Sequence, residues 1–330
     1  MHPFQYMDSA SPEAALQAAA ANDRAMFLAG GTTVIDLMKL DVLTPDQLID
    51  VARLPFSEIE EDSAGITIGA NVKNSDLAHH RAIREQYPVL AEALLAGASA
   101  QLRNMATTAG NIMQRTRCSY FRDINSKCNK RQPGSGCDAL DGANRGHAVL
   151  GTSERCIATH ASDMCVALVI LDAEVRTRRR DGSRRTIAFE SFHLLPGETP
   201  DRETVLEQGE LITHVFLPTS AVAKRSHYLK VRDRASYEVA LTSAAVALEM
   251  DGDKIATARV GLGGVATKPW QSHEAEAKLN GKEANSKTFR AAAEAALANA
   301  KPRAENAFKV ELAKRTLVLA FEELLSGTRD

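Results

Sequence analysis

The sequence predicts an α+β protein in two domains, the larger of them bipartite. Three observations carry that reading. The chain has 330 residues, beyond the ~100–200 of a usual single domain. Its first third alternates strand signals, turns rich in small residues and helix signals, the pattern of an α/β unit. Its last third places strands first and Ala-rich helices after them. The expected division is a first domain over 1–220, with subdomains over about 1–57 and 58–220, and a second over 224–330.

Each element has its own signal. Ser11-Pro12-Glu13 before AALQAAAA predicts a helix capped by Ser11, with proline in its first turn. Met26-Phe27-Leu28-Ala29 is a short apolar strand that runs into Gly30-Gly31-Thr32-Thr33. VIDLMKL then predicts a helix, and Leu48 to Val51 a strand. The segment GITIGA from Gly65 alternates as a strand does, and a helix starts at Ser75-Asp76-Leu77. Pro88 opens another helix, VLAEALLAGAS, with Leu90, Leu94 and Ala98 at helical spacing on one face.

From Gln114 to about Thr159 no period of either kind is sustained. Loops beyond about 15 residues are usually functional or disordered, and the cysteines in this one suggest that a ligand organises it. A buried apolar segment, Met164 to Leu171, leads to EVRTRRR, Asp181-Gly182 and SRRTIAF, a hairpin whose arginines read as a solvated face. Gly209-Glu210-Leu211-Ile212 precedes an apolar strand ending at Pro218, and residues 219–226 mark a boundary. YLKVRDR, ALTSAAVALEM and IATARVGLGGVA then predict a second sheet, with Asp251-Gly252-Asp253 as a turn and a helical remainder.

Composition excludes several classes. A formal net charge of −2 does not suit a dedicated nucleic-acid binder, so no nucleic-acid partner is expected. The apolar run Met164 to Leu171 is eight residues long, far short of the ~20 that span a bilayer. The opening MHPFQYMDSASPEAALQ lacks the basic start and apolar stretch of an export signal. Work outside the cytoplasm would therefore depend on export with a partner.

All five cysteines lie between positions 118 and 165. Cys118, Cys128, Cys137 and Cys156 sit among Arg, Lys, Gly, Pro and Asn, whereas Cys165 lies inside the apolar run and is assigned to packing. An odd, irregularly spaced set does not read as a disulfide framework, and no pair has the short spacing of a zinc ribbon. A four-iron cluster is negatively charged as a whole. The surrounding Arg115, Arg117, Arg122, Lys127, Lys130 and Arg131, with the glycines of Pro133-Gly134-Ser135-Gly136, suit such a ligand. A zinc-stabilised binding module is the alternative.

Two turns suit an extended phosphate-bearing ligand. Ala29-Gly30-Gly31-Thr32-Thr33 follows a strand and precedes a helix, so its backbone N–H groups can converge on an anion. Thr107-Thr108-Ala109-Gly110-Asn111 offers hydroxyl and amide donors about 75 residues later. Gly261-Leu262-Gly263-Gly264-Val265-Ala266 formally matches a dinucleotide fingerprint, but Thr267-Lys268-Pro269-Trp270 follows where a helix must open. It reads as a strand in close contact with another backbone.

AGGTTVIDLMK, QLRNMATTAGNI, IATHASD ending at Asp163, GELI and the run Lys230-Val231-Arg232-Asp233-Arg234 occur in that order. Together they resemble the flavin-binding subunit of the xanthine dehydrogenase family of molybdenum hydroxylases. RTRCSYFRDINSKCNKRQPGSGCDAL and SERCIATH resemble the cysteine-bearing insertion of its bacterial periplasmic aldehyde oxidoreductase branch. The resemblance implies a PCMH-type FAD-binding domain in two subdomains, with an iron–sulfur loop over 114–159, and a smaller C-terminal domain of sheet and helices.

It also implies roles. Leu28, Ala29, Gly30, Gly31, Thr32, Thr33, Val34, Ile35 and Asp36 would cradle the FAD pyrophosphate, with Thr107, Thr108, Gly110 and Asn111 opposite. Many members carry a glutamate where this chain has Thr33. Asp163 would hold the sugar and diphosphate end, Ile212 would pack on the cofactor, and Lys230 would face the flavin ring. Cys118, Cys128, Cys137 and Cys156 would ligate a [4Fe-4S] cluster. Substrate oxidation would occur elsewhere, on a large molybdenum-cofactor subunit, with [2Fe-2S] clusters on a small subunit completing a heterotrimer. This chain would pass electrons to an external acceptor, in the periplasm after co-export or, alternatively, in the cytoplasm. A stand-alone FAD-dependent oxidase or reductase of the same fold is the other reading.

Overall fold

The first sheet is parallel, and its connections explain why glycine turns and helices alternate in this part of the chain. The structure, a computed structural model, describes residues 1–327. Strands β1 (Gln5–Asp8), β2 (Ala25–Leu28) and β3 (Gln47–Asp50) pair in the order β1-β3-β2. Parallel neighbours need crossover connections. One is the helix Pro12–Ala21, whose first turn is capped by Ser11 Oγ accepting from Ala14 N–H at 3.1 Å. The other holds the first glycine turn and the helix Val34–Lys39. Strand β1 carries no sequence signal, because all four of its residues keep some solvent exposure.

The second sheet is antiparallel. It consists of β4 (Ile59–Glu61), β5 (Gly65–Gly69), β6 (Glu174–Arg178), β7 (Arg184–Ala188) and β8 (Leu211–Pro218), in the order β4-β5-β8-β6-β7. The β6/β7 hairpin turns at Asp181-Gly182 as expected. Its arginines are not merely solvated. Arg178 pairs with Glu13, Arg180 with Asp23 and Arg179 with Glu207, while Arg185 reaches the fully buried Glu210 at 3.3 Å. The first two tie the hairpin to the first subdomain. Exposed pairs of this kind contribute little to stability, because solvent screens them.

Two helices add to the sequence reading, one where it assigned no element and one shorter than expected. The apolar run before β6 is the helix Asp163–Ile170, capped by Ser162 Oγ accepting from Cys165 N–H at 3.0 Å. Every residue from Met164 to Ile170 is buried, so no polar face imprints a helical period on the sequence. The helix Pro88–Ala96 buries Leu90 and Leu94, but Ala98 lies beyond its end, exposed, with φ +52°. Gly97 stops the helix and Ser99 caps the next turn, which removes Ala98 from the apolar face.

The remaining strands, β9 (Ser226–Val231), β10 (Thr242–Asp251), β11 (Lys254–Gly263) and β12 (Trp270–Gln271), form an antiparallel sheet in the order β12-β11-β10-β9. The helices His273–Leu279, Ser286–Ala296 and Phe308–Ser326 cover it, with Phe289 and Phe321 stacked at 4.8 Å. The GLGGVA segment ends β11, as expected. A Cβ on Gly261 would meet Val166 O at 2.9 Å, so the bare backbone is what lets the buried helix lie against this strand. Among the described residues no helix is long and apolar enough to cross a membrane.

His227 joins the two halves of the molecule. Its Nδ1 lies 2.8 Å from Glu92 on the helix Pro88–Ala96, and its Nε2 3.0 Å from Glu323 on the last helix. Burial disfavours the charged ring, but the two carboxylates together outweigh that and hold its pKa above the ordinary 6.5. A raised folded pKa stabilises fully below the unfolded value of about 6.5 and is lost as pH rises through the folded one. Thermal melts of the wild type and His227→Gln should therefore differ most below pH 6.5 and converge toward pH 8. A pH-independent gap would contradict this.

Candidate functional site

The two predicted turns meet. A Cβ on Gly30 would lie 2.0 Å from Met105 O, so only glycine lets the first turn seat against the backbone leading into Thr107. Among the described residues the backbone N–H groups of Gly30, Gly31, Thr32, Thr33 and Val34 find no protein acceptor. Five consecutive free donors on a concave turn suit an anion. The second turn is differently built. Thr107 Oγ accepts from Gly110 N–H at 3.2 Å, and Thr108 donates its hydroxyl to Val72 O at 3.1 Å. Asn111 Oδ1 accepts from Ser162 Oγ and Gln114 Nε2, both at 2.6 Å.

A cavity of about 510 Å³ opens beside both turns. Of the residues expected at a cofactor, Ala29, Gly30, Gly31, Thr32, Thr33, Val34, Thr107, Gly110 and Ile212 line it. Leu28, Ile35, Thr108 and Asn111 stand behind this wall. Asp36 faces the other way, toward the cysteine loop, at 2.8 Å from Arg122 and 3.1 Å from Arg117; those guanidiniums, Arg122 first, hold its carboxyl below the usual range. Asp163 and Lys230 are buried together at 2.8 Å, and Tyr228 donates to Asp163 at 2.6 Å. Lys230 also donates to Ala96 O at 3.2 Å. The structure thus joins these two residues to each other rather than to the cavity wall.

Sequence reading missed several wall residues. Glu203 and His193 carry no local motif, because each finds its partners far along the chain. Glu203 is ion-paired with Arg115 and with Lys130 at 2.9 Å, anchoring the start of the cysteine segment to the 196–206 loop. Although burial works against its charge, these two cations hold its pKa below the ordinary carboxylate value. The GELI motif was the one available signal for Glu210, which also accepts from Glu207 N–H at 2.9 Å.

The long segment without period is a folded loop with one short helix, Ser119–Arg122. Cys128 and Cys137 face each other across an isolated bridge, and Cys118, Cys137 and Cys156 each feel the charge of other members of the set. All four thiols are free. Burial pushes Cys118 up to about 12, and Cys137 and Cys156 upward too. Backbone N–H groups oppose that at each sulfur: Tyr120 and Phe121 at Cys118, Ala139 and Leu140 at Cys137, and Ala158 at Cys156 at 3.4 Å. Such donors favour thiolates. His147 Nε2 lies 3.2 Å from Cys118 Sγ. Cys156 also belongs to the cavity wall. Cys165, assigned to packing, is fully buried but has His160 and His193 for neighbours.

Residues 2–220 match the family model of the FAD binding domain in molybdopterin dehydrogenase, and residues 226–324 that of the CO dehydrogenase flavoprotein C-terminal domain. The chain belongs to this molybdenum-hydroxylase flavoprotein family. It is 51% identical over 98% of both chains to the aldehyde oxidoreductase FAD-binding subunit PaoB of Escherichia coli. It is 26% identical to the glyceraldehyde dehydrogenase medium chain of Sulfolobus acidocaldarius, over 98% of this chain and 100% of that one. The carbon monoxide dehydrogenase flavoprotein fold of Hydrogenophaga pseudoflava superposes with a TM-score of 0.77 at 24% identity, covering 99% of each chain. FAD is accordingly the ligand of this family's cavity, and the free N–H groups of the first turn fit its pyrophosphate.

Gly30→Ala should force the turns apart, costing about 1–3 kcal/mol and most of the bound FAD. Gly146→Ala, where a Cβ meets nothing within 4 Å, should cost little. Thermal melts and flavin content of the two variants check this contrast, and equal behaviour would refute it.

Proposed function

We propose that this chain is the electron-transfer subunit of a molybdenum-dependent aldehyde oxidoreductase, standing between partner iron–sulfur clusters and an external acceptor, and that it carries a [4Fe-4S] cluster besides FAD. Residues 1–220 would form the flavin domain and 224–330 the C-terminal domain, a division favoured by the extents of the two family matches. The aldehyde reading rests on the 51% identical relative, which is named for that activity. The partners would be a large molybdenum-cofactor subunit and a small [2Fe-2S] subunit in a heterotrimer, exported together to the periplasm.

One observation carries the cluster: four cysteines, Cys128 and Cys156 buried and Cys118 and Cys137 partly so, share one loop beside the flavin cavity, with N–H donors at Cys118, Cys137 and Cys156 and with Cys156 on the cavity wall. The basic residues and glycines around these cysteines suit an anionic multi-iron ligand better than the zinc alternative.

When bound, FAD supplies two-electron chemistry that a one-electron iron–sulfur relay can fill or drain. The protein's part is positioning and charge. Residues 29–34 would hold the pyrophosphate by backbone N–H groups, Thr107 and Gly110 would close the opposite wall, and Ile212 would pack against the cofactor. Cys118, Cys128, Cys137 and Cys156 would hold the cluster, with Lys130 favouring the Cys156 thiolate. Asp163 would orient Lys230 at the flavin end, the pair staying buried and mutually neutralised.

Cys137→Ser should lower iron from about four per chain to near none while FAD stays bound; unchanged iron would refute the ligand set. Lys230→Met should lower the flavin potential by on the order of 30 mV, equivalent to about 1.4 kcal/mol for a two-electron couple, and spare the iron. Spectroelectrochemical titration reads the shift, and an unmoved potential would exclude the lysine from the flavin's surroundings.

A further inference from the structure

Three ligating side chains at the cavity, two on its wall and one behind it, have no part in holding FAD or the cluster. His160, Cys165 and His193 bring one ligand atom each within 4.8 Å of the others. They arrive from three places: the exit of the cysteine loop, the first turn of the helix Asp163–Ile170, and the segment after Phe189–Ser191. Cys165 is 0% and His193 6% exposed. His160 Nε2 and His193 Nδ1 are buried with no hydrogen-bond partner among the described residues. An unmet buried polar atom is destabilising, so two in one spot call for an occupant.

The chemistry of the third group identifies it. A thiol is a poor partner for water, whereas a thiolate with two imidazoles is a strong donor set for a soft cation. His193 donates Nε2–H to Ile112 O at 3.2 Å, which leaves the Nδ1 lone pair free and fixes the ring. Phe189 and Phe192 lie edge-on to that ring at 5.5 and 5.0 Å, shielding it with apolar surface. Because His160 and His193 also line the flavin cavity, an ion has an entry route before the nucleotide fills it.

We propose that His160, Cys165 and His193 form a three-coordinate site for one thiophilic d10 cation, copper(I) or zinc, distinct from the four-cysteine set. Binding displaces the Cys165 thiol proton to solvent. His160, whose Nδ1 accepts from Ser162 N–H at 3.3 Å, must move its ring proton from Nε2 to Nδ1 and give up that long contact. Copper(I) with one thiolate is neutral and accepts trigonal coordination. Zinc would retain a positive charge and want a fourth ligand, so copper(I) suits this dry pocket better.

The full-length chain, carrying iron but not yet FAD, is titrated anaerobically with copper(I) buffered by a competing chelator and, in a parallel arm, with zinc, and FAD is added afterwards. One equivalent should bind, with a sulfur-to-metal absorption band in the copper arm. Cys165→Ser and His193→Gln should each lose on the order of 10-fold or more in affinity, Cys165→Ser without loss of iron or FAD and His193→Gln without loss of iron. Binding of zinc alone would assign the same site to the divalent ion. If Cys165→Ser fails to fold, His193→Gln decides. Failure of the wild type to bind either ion, or unchanged affinity in His193→Gln, overturns the proposal. Cys137→Ser, which should lose iron, should keep this site, so failure of the cluster assignment is read separately.

Discussion

The backbone contact between Gly30 and Met105 is the constraint on which the site depends. It joins a turn of the parallel sheet to a turn fed by the second subdomain at a distance no side chain tolerates. The consequences are local and chemical. The first turn keeps its N–H groups free, while the second spends its own on the carbonyls of Ala70 and Val72. One side therefore offers unsatisfied donors and the other a rigid wall, an asymmetry that two similar sequence motifs do not reveal.

The cysteine loop depends on the same turn from behind. Asp36, two residues past Val34, holds Arg117 and Arg122, and Leu37 packs with Phe121 and Cys128. The element that presents the anion-binding turn on one face thus supports the thiol-bearing loop on the other. At the loop's far end Glu203 answers Arg115 and Lys130. The basic residues around the cysteines are mostly committed to carboxylates and carbonyls, so what reaches the sulfurs is chiefly backbone N–H.

Much of this was legible in the sequence because it is local. Strand–turn–helix order, the Asp181-Gly182 hairpin, the apolar strand after GELI and the final sheet all follow from periodicity and turn chemistry over short windows. What failed did so for physical reasons. The helix Asp163–Ile170 is buried all round, so burial erased the pattern that distinguishes helix from strand. Strand β1 is four mostly exposed residues with almost no apolar imprint. At the site, the two turns and the ligand-bearing loop were visible as motifs. The Asp163–Lys230 pair, the Glu203 anchor and the His160–Cys165–His193 group were not, because each joins positions whose proximity only the tertiary fold creates.

Lys309 sits fully buried in the last helix, its ammonium at 3.0 Å from the carbonyls of Gly146 and His147 and 2.6 Å from that of Gly264. Burial draws its pKa down to about 7. Three carbonyls from two distant segments thus share one amine as their common donor. The stretch around Gly146 and His147 is therefore held from a helix more than 160 positions further along the chain.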